Sequence, residues 1–303
     1  MPHADNDVGR RAFLAKIGVL GAAVAAGGLL PGLSGITATA APRPVRTAGL
    51  ADVVTALRPV LAELARDTLN GLVVMACPGP DAYSRAQGTP RTEPGALEAR
   101  ATDFLIKALD EYVPFPDQLA TPLTQSLATG LSGTPLPSAL LDLPLSSVRT
   151  LDSALRTLLE NDETLPLSSV IAMLLNLVAT EVNPLALSGA FLSPFARLSY
   201  ADKCRVFEQL EEPHAGLVSL LDANLPEPVQ GSVSGVLRFV AGAVLEFAAY
   251  GSACEWAVFD PATKSISARP VGWQLSGYQP HGVVHGWDDF LGYYQGRTKV
   301  ENV

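Results

Sequence analysis

The sequence predicts a mainly α-helical protein: a helical bundle-like domain followed by an irregular, aromatic-rich C-terminal tail. Apolar side chains recur at helical spacing in several segments between residues 50 and 251. The sequence shows no alternation of short strands and helices of the kind that predicts a βαβ unit. Of the 303 residues, 48% are apolar and only 17% are charged, a composition typical of a folded chain rather than a disordered one.

The first 40 residues form a separate segment with the three-part plan of an export signal. A polar start ends in two arginines, an apolar run rich in glycine and alanine covers residues 17–36, and small residues follow up to Ala40. Paired arginines directly before Phe-Leu resemble the twin-arginine signal, which a translocase reads as an address. The residues that carry this signal are Arg10, Arg11, Phe13 and Leu14. We therefore predict export through the twin-arginine translocase to the periplasm, cell wall or medium, with residues 1–40 either cleaved near Ala40 or retained as an anchor.

The rest of the chain divides into a linker (41–47), a helical domain (48–251) and the tail (252–303). Apolar spacing predicts a first helix from Leu50 to about Asn70. A stretch rich in proline and glycine then predicts turns, and an amphipathic helix runs from Leu97 to Tyr112. Residues 113–194 look like extra material within the domain, a candidate insertion.

A short echo lies in this central stretch. The run Leu-Pro-Leu-Ser-Ser-Val occurs at residues 143–148 and again at 165–170. Each copy begins a helix-like segment, and proline is favoured in the first turn of a helix. The two copies predict a helical hairpin, or else they are two similar helix starts that coincide by chance.

Two further helices are predicted before the tail. One runs from Phe195 to Glu212, with Ser199 as N-cap. The next, from Val233 to Gly251, is apolar nearly all round, which predicts a central, buried element. A buried Glu246 inside it would need a partner, and a structural salt bridge is favoured over a catalytic base. The stretch 236–249 is the segment after residue 40 closest to a membrane span, but we predict that it is too short and too charged to be one.

The tail holds all three tryptophans of the chain and several tyrosines. Such rings bury large areas and keep a polar edge available, so they suit either a cap on the protein's own core or a surface that binds a partner. The candidate interface residues are Trp273, Tyr278, Trp287 and Tyr293.

Motifs for chemistry are scarce. The sequence contains neither a glycine-rich nucleotide loop nor a serine-hydrolase elbow, and its net charge of −9 argues against nucleic acid as a partner. His281 and His285 have HxxxH spacing, but Gly282 and Gly286 would break a helix there, so structural histidines are favoured over a metal site. We predict no catalytic residue and no cofactor in this chain.

Three cysteines remain after residue 40, and they allow at most one disulfide in an oxidising destination. Cys204 with Cys254 is the candidate pair, because both lie in the C-terminal half. The alternative is that all three thiols act as small apolar side chains.

Three segments together resemble the small-subunit family (subunit 3) of membrane-associated gluconate 2-dehydrogenases. They are Pro-Gly-Ala at 94–96 leading into Ala-Thr-Asp-Phe-Leu at 101–105, Phe-Ala-Arg-Leu-Ser-Tyr-Ala-Asp-Lys at 195–203, and Val-Gly-Trp-Gln-Leu-Ser-Gly-Tyr at 271–278. A twin-arginine signal is also usual in that family. The candidate insertion and the tail from Gln279 onward depart from the family pattern.

The resemblance implies a non-catalytic subunit beside a large flavoprotein subunit of the glucose–methanol–choline type. FAD and the hydride chemistry would belong to that partner, and this chain would supply the export signal for the folded pair. Two alternatives from other classes stay open. One is a stand-alone exported protein that encloses a lipid or sterol, and the other is a metal-dependent enzyme that uses His281 and His285.

Overall fold

Helices dominate the structure, a computed structural model. It describes residues 50–112, 166–187, 189–213, 215–222, 231–263 and 265–278. Helices make up 68% of this part of the chain and strands contribute almost nothing, so the predicted mainly α-helical class is confirmed. The export signal, the linker, the first copy of the echo and the tail beyond Tyr278 lie outside the described residues.

The α-helices are α1 (Leu50–Ala76), α2 (Ala82–Gln87), α3 (Ala101–Lys107), α4 (Leu167–Val182), α5 (Tyr200–Glu211), α6 (Ala215–Asp222), α7 (Val233–Ala253) and α8 (Val271–Ser276). A π turn, Ala108–Tyr112, extends α3, and two 3₁₀ turns, Pro184–Leu187 and Phe195–Arg197, lie between α4 and α5. Two short antiparallel strands, β1 (Phe259–Asp260) and β2 (Ser265–Ile266), lie between α7 and α8.

The central helix is α4. Its residues are buried without interruption from Ser168 to Thr180, and it packs against both α1 and α5. The second copy of the echo begins it, with Pro166 at the N-cap. The stretch 113–194, the candidate insertion, therefore contains α4 and with it part of the core. The end of the α3 extension and the start of α4 lie side by side, because the Asp110 carboxylate accepts hydrogen bonds from the Ser168 backbone N–H (2.8 Å) and hydroxyl (2.9 Å).

Helix α7 is less buried than its apolar composition predicts. One face packs against α1, α3 and α5, but much of the opposite face is exposed. Glu246 lies on the exposed side, so no buried carboxylate needs a partner there. The helix is also longer than the stretch judged too short to span a membrane. With 21 residues and a mean hydropathy of 1.5, α7 is long and apolar enough to cross one by length and composition, a test that core helices of soluble proteins also pass.

The turn region before α3 is more ordered than its composition predicts. It contains α2, whose first turn is capped by the Asp81 carboxylate accepting from the Ser84 backbone N–H at 2.8 Å. Helix α3 begins at Ala101 rather than at Leu97, because Arg100 adopts a left-handed backbone (φ 54°) that interrupts helical geometry.

The predicted helix 195–212 is split in two. After the 3₁₀ turn, Leu198 is extended, and α5 then starts behind Ser199. The Ser199 hydroxyl accepts from the Asp202 backbone N–H at 3.1 Å, which confirms the predicted N-cap. The first part of the tail is also less irregular than predicted, since it contains β1, β2 and α8.

Candidate functional site

A polar network lies at the centre of the helical domain, where α1, α2, α4 and the turn before α5 meet. Its members are side chains of mixed chemistry that hydrogen-bond mainly to one another or to buried backbone. We call this set the core polar network: Asp67, Thr68, Asn70, Tyr83, Gln87, Thr102, Asn176, Ser193 and Lys203.

Asp67 anchors one half of the network. Its carboxylate accepts from the Tyr83 hydroxyl at 2.6 Å and from the Ser193 backbone N–H at 2.7 Å. Burial, reinforced by the hydrogen bond to Asp67, raises the pKa of Tyr83 to about 12. The ring of Tyr83 stacks on Phe191 with 4.3 Å between centroids. This half of the network therefore holds a protonated phenol and fixes the loop before α5.

Asn176 joins α4 to the other elements. Its amide donates to the Thr68 hydroxyl at 2.9 Å, and its oxygen accepts from the Ser193 hydroxyl (2.8 Å) and the Phe195 backbone N–H (3.0 Å). All of these groups are buried. A buried amide with this many partners locks the register of the surrounding elements, because any slip would leave several polar groups unpaired.

Lys203 is the unusual member, because its side chain is fully buried with 0% exposure. Its ammonium donates to the Gly71 carbonyl and to the Gln87 Oε1, both at 2.7 Å, and lies 5.5 Å from the centre of the Phe195 ring. Burial lowers the pKa of Lys203 to about 7, while the more distant Asp67 and Asp81 act in the opposite direction. Lysine is rarely buried to this degree without a carboxylate partner.

An amine with a lowered pKa is typical of catalytic lysines, but this one has no exposed surface and its bonds are made to α1 and α2. The arrangement can hold the start of α5 against α1 and α2. Sequence reasoning missed the network. The available signals were a lone asparagine in the apolar run of α4, and a lysine on the same helical face as Val206, Phe207 and Leu210.

The segments that carry the family resemblance form contact points of the fold. Gly95 lies against Gly79, where a Cβ would come within 2.6 Å of the Gly79 nitrogen. Ala196 touches Gly71 of α1, where an added Cβ would lie 2.8 Å from the Ala196 Cα. In the third segment, a Cβ on Gly272 of α8 would lie 2.1 Å from the Ala253 carbonyl oxygen. Small residues at these places permit backbone contacts that side chains would prevent.

Partly exposed aromatic rings lie around the C-terminal end of α7. We call this surface the aromatic end: Phe104, Tyr250, Trp256, Trp273 and Tyr278. The Phe104 ring contacts Tyr250 and Trp256 at centroid distances of 5.6 and 5.9 Å. The Trp273 ring meets Tyr278 edge-on at 5.1 Å.

Trp273 is fixed in place by its polar edge. The indole N–H donates to the Glu255 carboxylate at 2.7 Å, and the ring stays partly exposed. Among the predicted interface residues, the structure thus brings Trp273 and Tyr278 together. Trp287 and Tyr293 lie outside the described residues, as do His281, His285 and the four residues of the export signal.

All three cysteines are free thiols, so the candidate disulfide between Cys204 and Cys254 is not made. The Cys254 thiol instead lies 3.9 Å from the Gly251 carbonyl, at the end of α7. Burial raises the pKa of both Cys77 and Cys254, which keeps these thiols protonated. Within the described ranges, no group of three or more His, Cys, Asp or Glu side chains is placed to hold a metal ion.

Comparison with known proteins gave no match. No family model, no curated protein and no solved structure matches this chain. The family resemblance therefore stays a prediction from the three sequence segments.

Proposed function

We propose that this chain is a non-catalytic accessory subunit, an export and assembly partner, of an exported FAD-dependent dehydrogenase of the glucose–methanol–choline type. FAD and the hydride chemistry would belong to the large subunit. The observation that carries the proposal is the aromatic end: five partly exposed rings grouped at one end of α7. Aromatic residues are enriched at protein interfaces and supply much of their binding energy.

The aromatic end has the features of a preorganised binding surface. The Glu255 carboxylate holds the Trp273 indole, and the Arg100 guanidinium lies 5.9 Å from the centre of the Trp256 ring. Rings that are already held lose little conformational entropy on binding. Tyr250 is 62% exposed, so this surface has apolar area left to bury.

The core polar network also supports the proposal, because its polar groups serve the fold of the domain. Its carboxylate, amides and lysine are committed to hydrogen bonds within the domain. A chain whose ionisable core groups hold its own helices together is suited to a scaffold role. The Arg10-Arg11 signal would then serve the assembled pair, since the twin-arginine route carries folded proteins.

Isolation of the tagged chain from its native host tests the proposal. We expect a co-purifying polypeptide that contains FAD and a glycine-rich nucleotide motif near its N-terminus. Trp273→Ala should release that polypeptide, with a loss of affinity of about thirtyfold, while Tyr200→Ala, an exposed aromatic at the start of α5, should retain it. Trp287→Ala is the same test for the tail beyond Tyr278, and its melting temperature should stay within a few degrees of the unchanged protein.

Other results of the same isolation would contradict the accessory role. A stoichiometric lipid or sterol without a flavoprotein would favour the lipid-binding alternative. About one bound metal per chain, lost on His285→Ala, would favour the metal-dependent enzyme.

A further inference from the structure

The outer side of α7 carries a regular pattern of mostly exposed residues, although Leu245 at its edge packs partly against the core and Arg238 bonds to the end of α5. Its small residues recur every seventh position, which places them along one line of the helix. We call this surface the α7 outer face: Gly235, Arg238, Phe239, Gly242, Leu245, Glu246 and Ala249.

Among the described residues, the α7 outer face is largely uncovered, and it combines small and apolar residues with one positive and one negative charge. Phe239 is 69% exposed, a high value for a large aromatic side chain on a helix. Among the described residues, nothing lies within 4 Å of a Cβ placed on Gly235 or Gly242. The helix therefore offers a shallow surface at Gly242 against which another helix can approach closely, flanked by apolar side chains.

The pattern is symmetric about Gly242. Arg238 and Glu246 each lie four residues from it, Phe239 and Leu245 three, and Gly235 and Ala249 seven. If two copies of α7 cross antiparallel at Gly242, residues equally far before and after it lie level with each other. Arg238 of one copy then lies level with Glu246 of the other, and small residues lie level with small residues.

We infer that the α7 outer face binds a second copy of this chain, with the two α7 helices antiparallel and crossing at Gly242. The charges select this orientation, because a parallel pair would place arginine level with arginine and glutamate level with glutamate. Each Arg238 donates to the Glu211 carbonyl of its own chain at 3.1 and 3.3 Å, and it forms no ion pair among the described residues. Glu246 likewise has no such partner there.

The same charges argue against a membrane as the occupant. An inserted α7 would carry Arg238 and Glu246 into the bilayer on its exposed side, which is costly for both groups. A second copy neutralises each charge with its opposite. The inference does not rest on the accessory role, because it is argued from the residues of the α7 outer face alone; the aromatic end adjoins this face, since Tyr250 directly follows Ala249.

The test is the mass of the exported protein, measured by sedimentation from about 1 to 100 µM, because a single helix pair is a small interface with an expected Kd on the order of micromolar. We expect a monomer–dimer equilibrium. Gly242→Leu should abolish the dimer without lowering the melting temperature, since a Cβ there meets no described atom within 4 Å and Gly242 is partly exposed. Ala86→Leu, an exposed change on α2, should leave the dimer intact.

Charge variants test the antiparallel arrangement itself. Arg238→Glu leaves two glutamates on each face and Glu246→Arg leaves two arginines, so each variant alone should be monomeric. Mixed together, they should form a heterodimer with opposite charges at both positions. A monomer at every concentration, a dimer that survives Gly242→Leu, a mixture that stays monomeric, or stable insertion of the protein into lipid vesicles would each overturn the inference.

Discussion

Lys203 shows how a single residue can serve the fold at a cost in free energy. Its ammonium loses hydration on burial and donates two hydrogen bonds in return, to the Gly71 carbonyl and the Gln87 amide oxygen. The lowered pKa of about 7 means that burial outweighs those bonds and the more distant carboxylates of Asp67 and Asp81. Lys203 therefore specifies how α5 meets α1 and α2 more than it stabilises that contact.

The pKa of Lys203 predicts a pH dependence of stability. Between pH 7 and about 10 the unfolded lysine binds a proton that the folded one does not, because the ordinary pKa is 10.5 and the folded value is about 7. The free energy of unfolding should therefore rise with pH in this window, by up to about 1.4 kcal/mol per pH unit from this group. Below pH 7 both states are protonated and the contribution is constant.

Urea unfolding of the unchanged protein and of Lys203→Met, at several pH values from 6 to 10, measures this effect. The variant should lack the part of the slope that Lys203 contributes. The free energy of unfolding of the unchanged protein should therefore rise with pH relative to that of the variant. Parallel curves would show that the buried amine does not titrate in this range.

Asn176 gives a second prediction for a single residue. Asn176→Leu should lower the free energy of unfolding by about 3 kcal/mol or more, because Thr68, Ser193 and the Phe195 N–H lose their partner inside the core. Gln209→Leu is a matched control, since the Gln209 Oε1 is the only buried side-chain oxygen or nitrogen without a hydrogen bond among the described residues. The control should be neutral or stabilising in the same unfolding experiment, and equal losses for the two variants would contradict this account.

Apolar periodicity did not distinguish the buried helix of the core, α4, from the partly exposed helix, α7. Both α4 and α7 are strongly apolar, and the sequence indicated α7 as the central helix because it is apolar nearly all round. The structure buries α4 instead, and the polar residue that marks its role is Asn176, whose partners lie on α1 and the turn before α5. Apolar content alone does not separate a core helix from one with an open outer face.

The contact of α1 with the turn before α5 predicts a strong effect of one methyl group. Gly71→Ala should cost about 2 kcal/mol, because the new Cβ would lie 2.8 Å from the Ala196 Cα and the backbone must move. Gly242→Ala in α7, measured at a concentration at which the chain is monomeric, is the matched control, since its Cβ meets no described atom within 4 Å. Alanine should stabilise that helix by up to about 1 kcal/mol. Thermal unfolding of both variants checks the difference, and a neutral Gly71→Ala would mean that this contact is loose.

Features of the molecule that depend on neighbouring residues were predicted correctly from the sequence. Features that depend on contacts between distant segments were not. The α-helical class, the Ser199 cap and the position of α1 follow from spacing within one or two turns of chain. The insertion boundary, the buried lysine and the exposure of Glu246 depend on which helix faces touch across more than a hundred residues. Lys203 and Gly71 are 132 residues apart, and no pattern in one sequence specifies such a pair.

The proposed export of a folded flavoprotein partner together with this chain can be tested through the location of that partner. The measurement is the amount of the FAD-containing polypeptide in cytoplasmic and exported fractions, with and without Arg10→Lys and Arg11→Lys in this chain. Lysine lacks the planar guanidinium, so the double variant should fail to engage the translocase. The account predicts that both this chain and the flavoprotein stay in the cytoplasm; a flavoprotein that is exported normally beside the stranded variant would contradict it.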